Sequence, residues 1–289
     1  MEIANLKAFI AVAEQHSFSL AAEQLFITQP AISKRIKLLE QQLNTRLLDR
    51  SVKHITLTQA GVELLPRARK ILQDMDECTQ LIADLSGHTM GSLSLATSHH
   101  IGLHRLPPVL QKFVYNHPKV ELDIHFMDSE DACHAVESGE MEIAIVTLPT
   151  KKWLNIKTKT IWTDELCIIC NNQHPLTNVP APTLEELLKY SAILPSKGTF
   201  TRNIIESALE KYKSPIKISL ETNYLETIKM LVSVGLGWSI LPKNMLSEDI
   251  AIINCSDFKA SRALGYVINK NRTLSNPALA IIKLLKEIT

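Results

Sequence analysis

The 289-residue sequence lacks any run of about 18 apolar residues, which excludes an obvious membrane-spanning helix. Its opening stretch, MEIANLKAFI, has no positive segment leading into an apolar core, so no signal peptide is read there. A disulfide framework is missing too. Cys78, Cys133, Cys167, Cys170 and Cys255 are odd in number and scattered. These absences point to a reducing, cytoplasmic setting without a membrane partner. Strong net charge is also absent: the formal value is +1, so the chain as a whole is not a polyanion binder.

Catalytic and metal motifs are equally scarce. His99, His100 and His104 invite a zinc reading. Only His100 and His104 have i, i+4 spacing, no carboxylate motif adjoins them, and Pro107 and Pro108 follow closely. Neither a metal site nor a cofactor is expected. Cys167-Ile-Ile-Cys170 has CxxC spacing, but residues three apart on a strand face opposite sides, so two core thiols are expected. Glu137, Glu140 and Glu142 read as a solvated rim, and Gly235-Leu-Gly237 is too short for a dinucleotide fingerprint. With no nucleophile–base pair, the chain is not read as an enzyme.

What is present is patterned. The length predicts two or three domains, and 45% apolar content suffices for real cores. Charge is concentrated: residues 28–58 hold Lys34, Arg35, Lys37, Arg46, Arg50 and Lys53 against Glu40 and Asp49, a local excess of four positive charges. Such a patch on a near-neutral protein points to a dedicated nucleic-acid module. Within it, SLAAEQLFITQPAISKRIKLLEQQL (residues 19–43) predicts two short helices. The first covers Leu20 to Leu25, the break falls at Phe26-Ile27, and Thr28 caps the second, with Pro30 in its first turn. Ile32, Ile36, Leu39 and Leu43 form one buried face. Gln29, Ser33 and Lys37 line the other, with Lys34 and Arg35 beside them. Taken alone this is an ordinary amphipathic helix; its neighbours make it a candidate for the DNA major groove.

Those neighbours are a first helix over residues 5–16, with Leu6, Phe9, Ile10, Val12 and Ala13 on its apolar face, and a hairpin of strands 47–50 and 55–58 with Arg50, Lys53 and His54 at or near its tip. Thr58 then caps a long helix running to about Ser86, with Gly87 as its stop. Leu64, Ala68, Ile71, Met75, Cys78, Ile82 and Leu85 recur at steps of four and three, a coiled-coil period. Leu65 and Leu72 widen the stripe, and Pro66 should kink the helix near its start. The helix, about 40 Å long, could pack on its own domain or on a second copy. The copy is favoured, giving a dimer through residues 59–86, because operator half-sites are usually matched by a two-fold protein.

From Gly91 strands and helices alternate. Strands are predicted at GSLSLATS, Val120–Phe126, Ile143–Val146, Glu165–Cys170, Ala192–Leu194, Ile216–Glu221 and Trp238–Leu241. Helices fall between them, and a last one, capped by Asn276 with Pro277 first, closes the chain. A parallel, helix-covered α/β sheet is expected, folded as two lobes. Lobe I would hold residues 91–162 and 267–289 and lobe II residues 163–266, with two crossings between them.

The sequence resembles bacterial LysR-type transcriptional regulators over its whole length. The matching stretches are FIAVAEQHSFSLAAEQLFITQPAISKRIKLLEQQLNTRLLDR, ITLTQAG, GSLSLATS, LPPVLQKF with its following HP, and GLGWSILP. Gln59 stands where the family often has an acidic residue. The resemblance implies an α/β protein with an N-terminal winged helix-turn-helix (1–58), a dimerising linker helix (59–88) and a two-lobed, periplasmic-binding-protein-like effector domain (91–289). It also implies a homotetramer on double-stranded DNA, with or without a small co-inducer. The C-terminal half alone would pass for a solute-binding protein, but the DNA module argues against that.

Resemblance and face analysis together place Gln29, Pro30, Ser33, Lys34 and Lys37 in the major groove. Gln29 and Ser33 would read base edges, and Lys34, Arg35 and Lys37 would contact bases or phosphates. Ser19, Thr28, Arg50, Lys53 and His54 are expected on the DNA backbone. In the C-terminal half, ligands belong at strand C-termini. Thr97, Ser98, His99 and His100, then Thr147, then Ser196, Lys197 and Thr199, then Asn223, are the candidates. The expected effector is a small anionic metabolite or inorganic anion held by Ser98, His100, Thr147, Ser196 and Thr199, with Lys197 and His99/His100 as cationic donors.

Overall fold

The computed structural model describes residues 1–50, 55–84, 89–180, 182–210, 216–255 and 258–287. The chain divides into two compact units, one built on Met1–Gly87 and the other on His88–Glu137 and Met141–Thr289. Among the described residues no helix is long and apolar enough to cross a membrane.

In the N-terminal unit α1 (Ile3–Gln15), α2 (Phe18–Gln24) and α3 (Gln29–Leu43) bury one core of Leu6, Phe9, Val12, Ala21, Ile32, Ile36 and Leu39. Leu43, expected on this face, is exposed at the end of α3. Two helices end in the same way. Ile27 N–H donates to Ala22 O and Phe26 N–H to Glu23 O after α2, and Thr45 N–H donates to Glu40 O and Asn44 N–H to Gln41 O after α3. The pivot residues Phe26 and Asn44 have φ of 52° and 48°, the left-handed geometry of a Schellman turn. Asn suits it; Phe26, 94% exposed, carries the steric cost that a Cβ meets in this region.

The wing follows. Strands β1 (Leu48–Arg50) and β2 (Ile55–Leu57) pair antiparallel, Leu48 opposite Leu57 and Arg50 opposite Ile55. Glu40 of α3 holds its base, accepting the N–H groups of Leu47 (2.9 Å) and Leu48 (3.3 Å). Thr58 joins the wing to α4 (Gln59–Asp84): its hydroxyl donates to Arg46 O at 2.7 Å and accepts Gly61 N–H at 3.1 Å. The cap expected of Thr58 is thus present. Helix α4 runs unbroken with Pro66 inside it, and the expected Leu85, Ser86 and Gly87 lie outside the described residues. Its heptad stripe splits. Leu64, Leu65, Ala68 and Leu72 pack on the core of their own unit, and Arg69 pairs with Glu14 of α1 at 2.7 Å. Further along, Ile71, Met75, Cys78 and Ile82 are exposed.

The C-terminal unit is built on a seven-stranded sheet of order β10-β6-β11-β5-β3-β4, with β9 also on β6. Its strands are β3 (Gly91–Thr97), β4 (Val120–Phe126), β5 (Ile143–Thr147), β6 (Ile156–Asn171), β9 (Ser239–Pro242), β10 (Ile250–Ile252) and β11 (Ala260–Asn269). Helices α5 (His99–His104), α6 (Pro107–Asn116), α7 (Ser129–Ser138) and α11 (Asn276–Glu287) belong to the first lobe. Helices α8 (Leu184–Leu187), α9 (Phe200–Leu209) and α10 (Leu225–Ser233) belong to the second, with the parallel pair β7 (Ala192–Leu194) and β8 (Ile218–Glu221). Helices α6 and α11 cover one face of the first lobe through Leu106, Val109, Phe113, Ile281 and Leu285, and α7 covers the other through Ala132, Cys133 and Val136. In the second lobe Trp238 and Ile205 centre one cluster, and Ile228 and Leu241 another.

The expectation of a wholly parallel sheet needs correction. Strands β3, β4 and β5 are parallel, but β6 and β11 run antiparallel to each other and to their neighbours. Residues 156–164, β10, β11 and helix α5 went unrecognised. The first half of β6, Lys157-Thr158-Lys159-Thr160, is exposed and polar and carries little strand signal. Glu142 also differs from the solvated rim expected of it. It is buried and accepts Ser275 N–H (2.7 Å) and Oγ–H (3.0 Å), while Ser275, not Asn276, caps α11 by accepting Ala278 N–H. The two CxxC thiols diverge as expected: Cys170 lies in the Trp238 cluster and Cys167 against the Ile228 cluster. Burial pushes both up to about 11, which leaves them protonated and unreactive.

One position tests the wing–linker junction. A Cβ at Gly61 would lie 2.2 Å from Leu47 O. Gly61→Ala should destabilise the N-terminal unit by about 1–3 kcal/mol, the range for forcing extra volume into a packed site. Urea unfolding followed by circular dichroism measures it, and an unchanged midpoint would contradict the close approach.

Candidate functional site

In the N-terminal unit α3 offers its first two turns. Gln29, Pro30, Lys34 and Lys37 are exposed, and Ser33 and Arg35 are half-buried at the edges of the same face. Gln29 Nε2 donates to Ser33 Oγ at 3.2 Å, which holds two of the expected base-reading groups as one polar pair. Thr28 stands at the N-cap in extended geometry but makes no side-chain capping bond, contrary to the expected cap. It and Ser19 are exposed; the cap of α2 is Ser17, which accepts Leu20 N–H at 3.3 Å. Arg50 ends β1, and Lys53 and His54 lie outside the described residues. The exposed apolar ring of Phe26 in the turn before α3 is a feature that residue pattern alone did not flag.

In the C-terminal unit the ends of β3 and β5 and the starts of α9 and α10 surround a cleft cavity of about 50 Å³. Ser98, His99, His100, Thr147, Thr199 and Asn223 line it, as expected. Asp128, Ser129, Glu130, Thr201 and Arg262 complete its polar wall and were missed. Thr97 is buried beneath the cavity, its hydroxyl donating to Ile145 O at 2.8 Å. Ser196 and Lys197 fall outside the lining, and Lys197 is exposed. Lys197, the expected cationic donor, is thus not at the cavity; the cation in its lining is Arg262, brought in by β11, a strand the sequence pattern did not reveal.

Arg262 is only 3% exposed. On the β6–β11 ladder it sits directly opposite Asp164, donating to Asp164 Oδ2 from Nη2 (2.9 Å) and Nε (3.2 Å). Arg105 donates to Asp164 Oδ1 at 2.7 Å. Burial alone would raise the Asp164 carboxyl, but the two guanidiniums overcome it and hold the group below the usual carboxylate range. The second nitrogen of the Arg262 fork, Nη1, is 3.5 Å from Thr201 Oγ1. Across the cleft Asn223 Nδ2 donates to Asp128 Oδ2 at 2.5 Å, and Phe200 N–H at the start of α9 donates to Glu130. Burial pushes the Glu130 carboxyl up.

The hydroxyls divide into two groups. Thr199 caps α9, accepting Arg202 N–H at 3.2 Å and donating to Ser196 O at 3.0 Å. Asn223 Oδ1 accepts Ser196 N–H at 2.9 Å, so Ser196 belongs to the turn supporting α9. Ser98, by contrast, occupies the N-cap of α5 without a side-chain capping bond. Thr147 donates its N–H to Ser129 Oγ at 3.2 Å. His99 forms an aromatic wall, its ring 5.3 Å from Phe126 and 4.7 Å edge-on to Tyr224. His100 is 4% exposed, with Nδ1 3.3 Å from Glu226 Oε1 and Nε2 3.8 Å from Asp164 Oδ2.

Comparison with known proteins agrees with both halves of this geometry. Residues 3–62 match the family model described as "Bacterial regulatory helix-turn-helix protein, lysR family", and residues 86–289 match "LysR substrate binding domain". The chain is 31% identical over 277 residues to a probable RuBisCO transcriptional regulator of Trieres chinensis, covering 92% of this chain and 90% of the relative. It is 30% identical over 267 residues to the HTH-type transcriptional regulator CysL of Bacillus subtilis, covering 91% and 89%. Among solved structures, full-length CbnR in complex with its target DNA superimposes with a TM-score of 0.69 at 20% identity over the whole of both chains, which shows the shared fold. A helix-turn-helix with a basic exposed face, joined by a long helix to a two-lobed α/β domain with a polar cleft, is thus the structure of a DNA-binding transcriptional regulator and not of an enzyme: the chain belongs to the LysR family.

Proposed function

We propose that this regulator reads an operator with α3, works as a dimer or tetramer through α4, and is controlled by a small polar effector in the cleft of its C-terminal unit. The observation that carries the DNA reading is the exposed Gln29–Ser33 pair flanked by Lys34 and Lys37 on the first turns of α3. Amide and hydroxyl groups there suit base edges, and the ammonium groups suit phosphates. Thr28, Ser19 and Arg50 join the backbone contacts, and Lys53 and His54, which lie outside the described residues, are assigned to them from the sequence alone. The free, scattered cysteines support a cytoplasmic location.

The exposed Ile71, Met75, Cys78 and Ile82 continue the 3.5-residue period and favour a second copy of α4 as their cover. For the effector, Arg262, Ser98 and Thr147 favour an oxyanion, while the Asp128 and Glu130 carboxylates favour hydrogen-bond donors on the same molecule. A hydroxy acid or a protonated inorganic oxyanion has both. The small cavity favours a compact ligand.

Three outcomes are expected. Gln29→Ala should cost about 1–3 kcal/mol on the specific duplex and little on random DNA, whereas Lys37→Ala should weaken both and lower the salt slope by about 1. Binding isotherms at several salt concentrations measure this, and equal losses on both duplexes for Gln29→Ala would end the base-reading role. The double variant Met75→Glu/Ile82→Glu should shift sedimentation toward the monomer; an unchanged profile would place the interface elsewhere. Calorimetry with phosphate, sulfate, glycolate and lactate should find a ligand whose affinity falls more than about 10-fold in Ser98→Ala/Thr147→Val, a loss of about 1.4 kcal/mol. Lys197→Ala should leave it unchanged, and a comparable loss there would reinstate the lysine.

A further inference from the structure

Sharing His100 with the wall of the cleft cavity, α5 and α10 bring together a group that neither segment announces. His100 and His104 lie one turn apart on α5, and Glu226 enters from the first turn of α10, 122 residues beyond His104. Glu226 Oε1 is 3.3 Å from His100 Nδ1 and 2.9 Å from His104 Nε2. One ligand atom from each residue lies within 4.8 Å of the others. We propose that His100, His104 and Glu226 bind a divalent cation of the zinc class, clasping α5 of the first lobe to α10 of the second.

Two of the three donor separations, 3.3 and 2.9 Å from Glu226, are close to what such an ion needs. Tetrahedral zinc holds N and O donors at about 2.0–2.1 Å, which places neighbouring donors about 3.3 Å apart. Two imidazoles and one carboxylate select zinc, nickel or copper over magnesium and calcium, which prefer oxygen. Three protein ligands leave a further position for water or for an effector atom.

His100 supplies the independent observation. It is almost fully buried between two carboxylates, Glu226 at Nδ1 and Asp164 at Nε2, and its Nε2 has no hydrogen-bond partner. A neutral imidazole has one N–H and one lone pair. Whichever tautomer forms, one carboxylate faces a lone pair. A cation between Nδ1 and Glu226 removes the conflict. The ring proton then resides on Nε2 and points at Asp164, which Arg105 and Arg262 orient. A carboxylate behind the ligating histidine is the usual outer support of a metal site. Glu226 carries the negative charge at the ion. His104 and Glu226 are partly open to solvent, which gives the ion a way in.

The test uses the full-length protein, freed of metal and titrated with Zn²⁺ and separately with Mg²⁺ by calorimetry, with elemental analysis for stoichiometry. One zinc per chain is expected, and no magnesium. His104→Gln and Glu226→Gln, both at partly exposed positions that folding tolerates, should each weaken zinc by more than about 10-fold, because even outer-shell losses reach that size. His125→Gln, at an exposed histidine 3.0 Å from Asp123, should leave affinity unchanged. Absence of zinc binding, equal magnesium binding, or undiminished affinity in both ligand variants would overturn the site. None of these readouts depends on the oxyanion panel, so the two assignments stand or fall separately.

Discussion

The C-terminal unit depends on one cross-strand ion pair. Asp164 and Arg262 face each other where β6 and β11 pass from one lobe to the other, and both are 3% exposed. A buried pair of this kind adds little net stability over an apolar pair, yet losing one partner costs about 3–5 kcal/mol. Its consequence is therefore specificity. A one-residue slip of either strand would turn a charge to the opposite face of the sheet and break the pair. Two residues further along, the ladder shifts register at Leu264/Gly265, and Gly265 lies so close to Lys159 that a Cβ would stand 2.0 Å from the Lys159 carbonyl. Charge and close approach together place the crossing of the lobes.

That crossing organises the cleft. Arg262 stands in the cavity wall because Asp164 holds two of its nitrogens, which turns the remaining one toward Thr201. Asp164 in turn takes Arg105 from the first lobe and faces His100. Further contacts bridge the lobes: Asn223 to Asp128, Phe200 N–H to Glu130, and Glu226 to His100 and His104. Each is polar and lies at a helix start or strand end, where a ligand can compete for it. A closed arrangement held by such bonds, and not by an apolar interface, is one that a small polar molecule or ion can bias.

Much of this was legible in the residue order. The three N-terminal helices, the wing strands, the Thr58 cap and the hydroxyl-bearing strand ends all have local causes: apolar spacing, a capping oxygen, a Pro in a first turn. The α4 stripe was legible as a period but not as a division. That Leu64, Leu65, Ala68 and Leu72 cover their own core while Met75 and Ile82 stay exposed depends on where the core ends. Segments with mixed local preference escaped notice. The polar half of β6 is a strand only because β11 pairs with it, and Glu142 is buried only because Ser275 meets it.

The sequence by itself determined the class of protein, the helix proposed to meet DNA, the neighbours of that helix and half of the cleft lining, because these follow from contacts between residues close in the chain. Tertiary structure alone decided the charges. Arg262 and not Lys197 lines the cleft, and Glu226 joins His100 and His104 to make a donor set out of a pair. The reason is sequence separation: Arg262 is 98 positions after Asp164, and Glu226 is 122 after His104. No local pattern records which distant carboxylate a buried cation or imidazole will meet; strand register and lobe packing settle it.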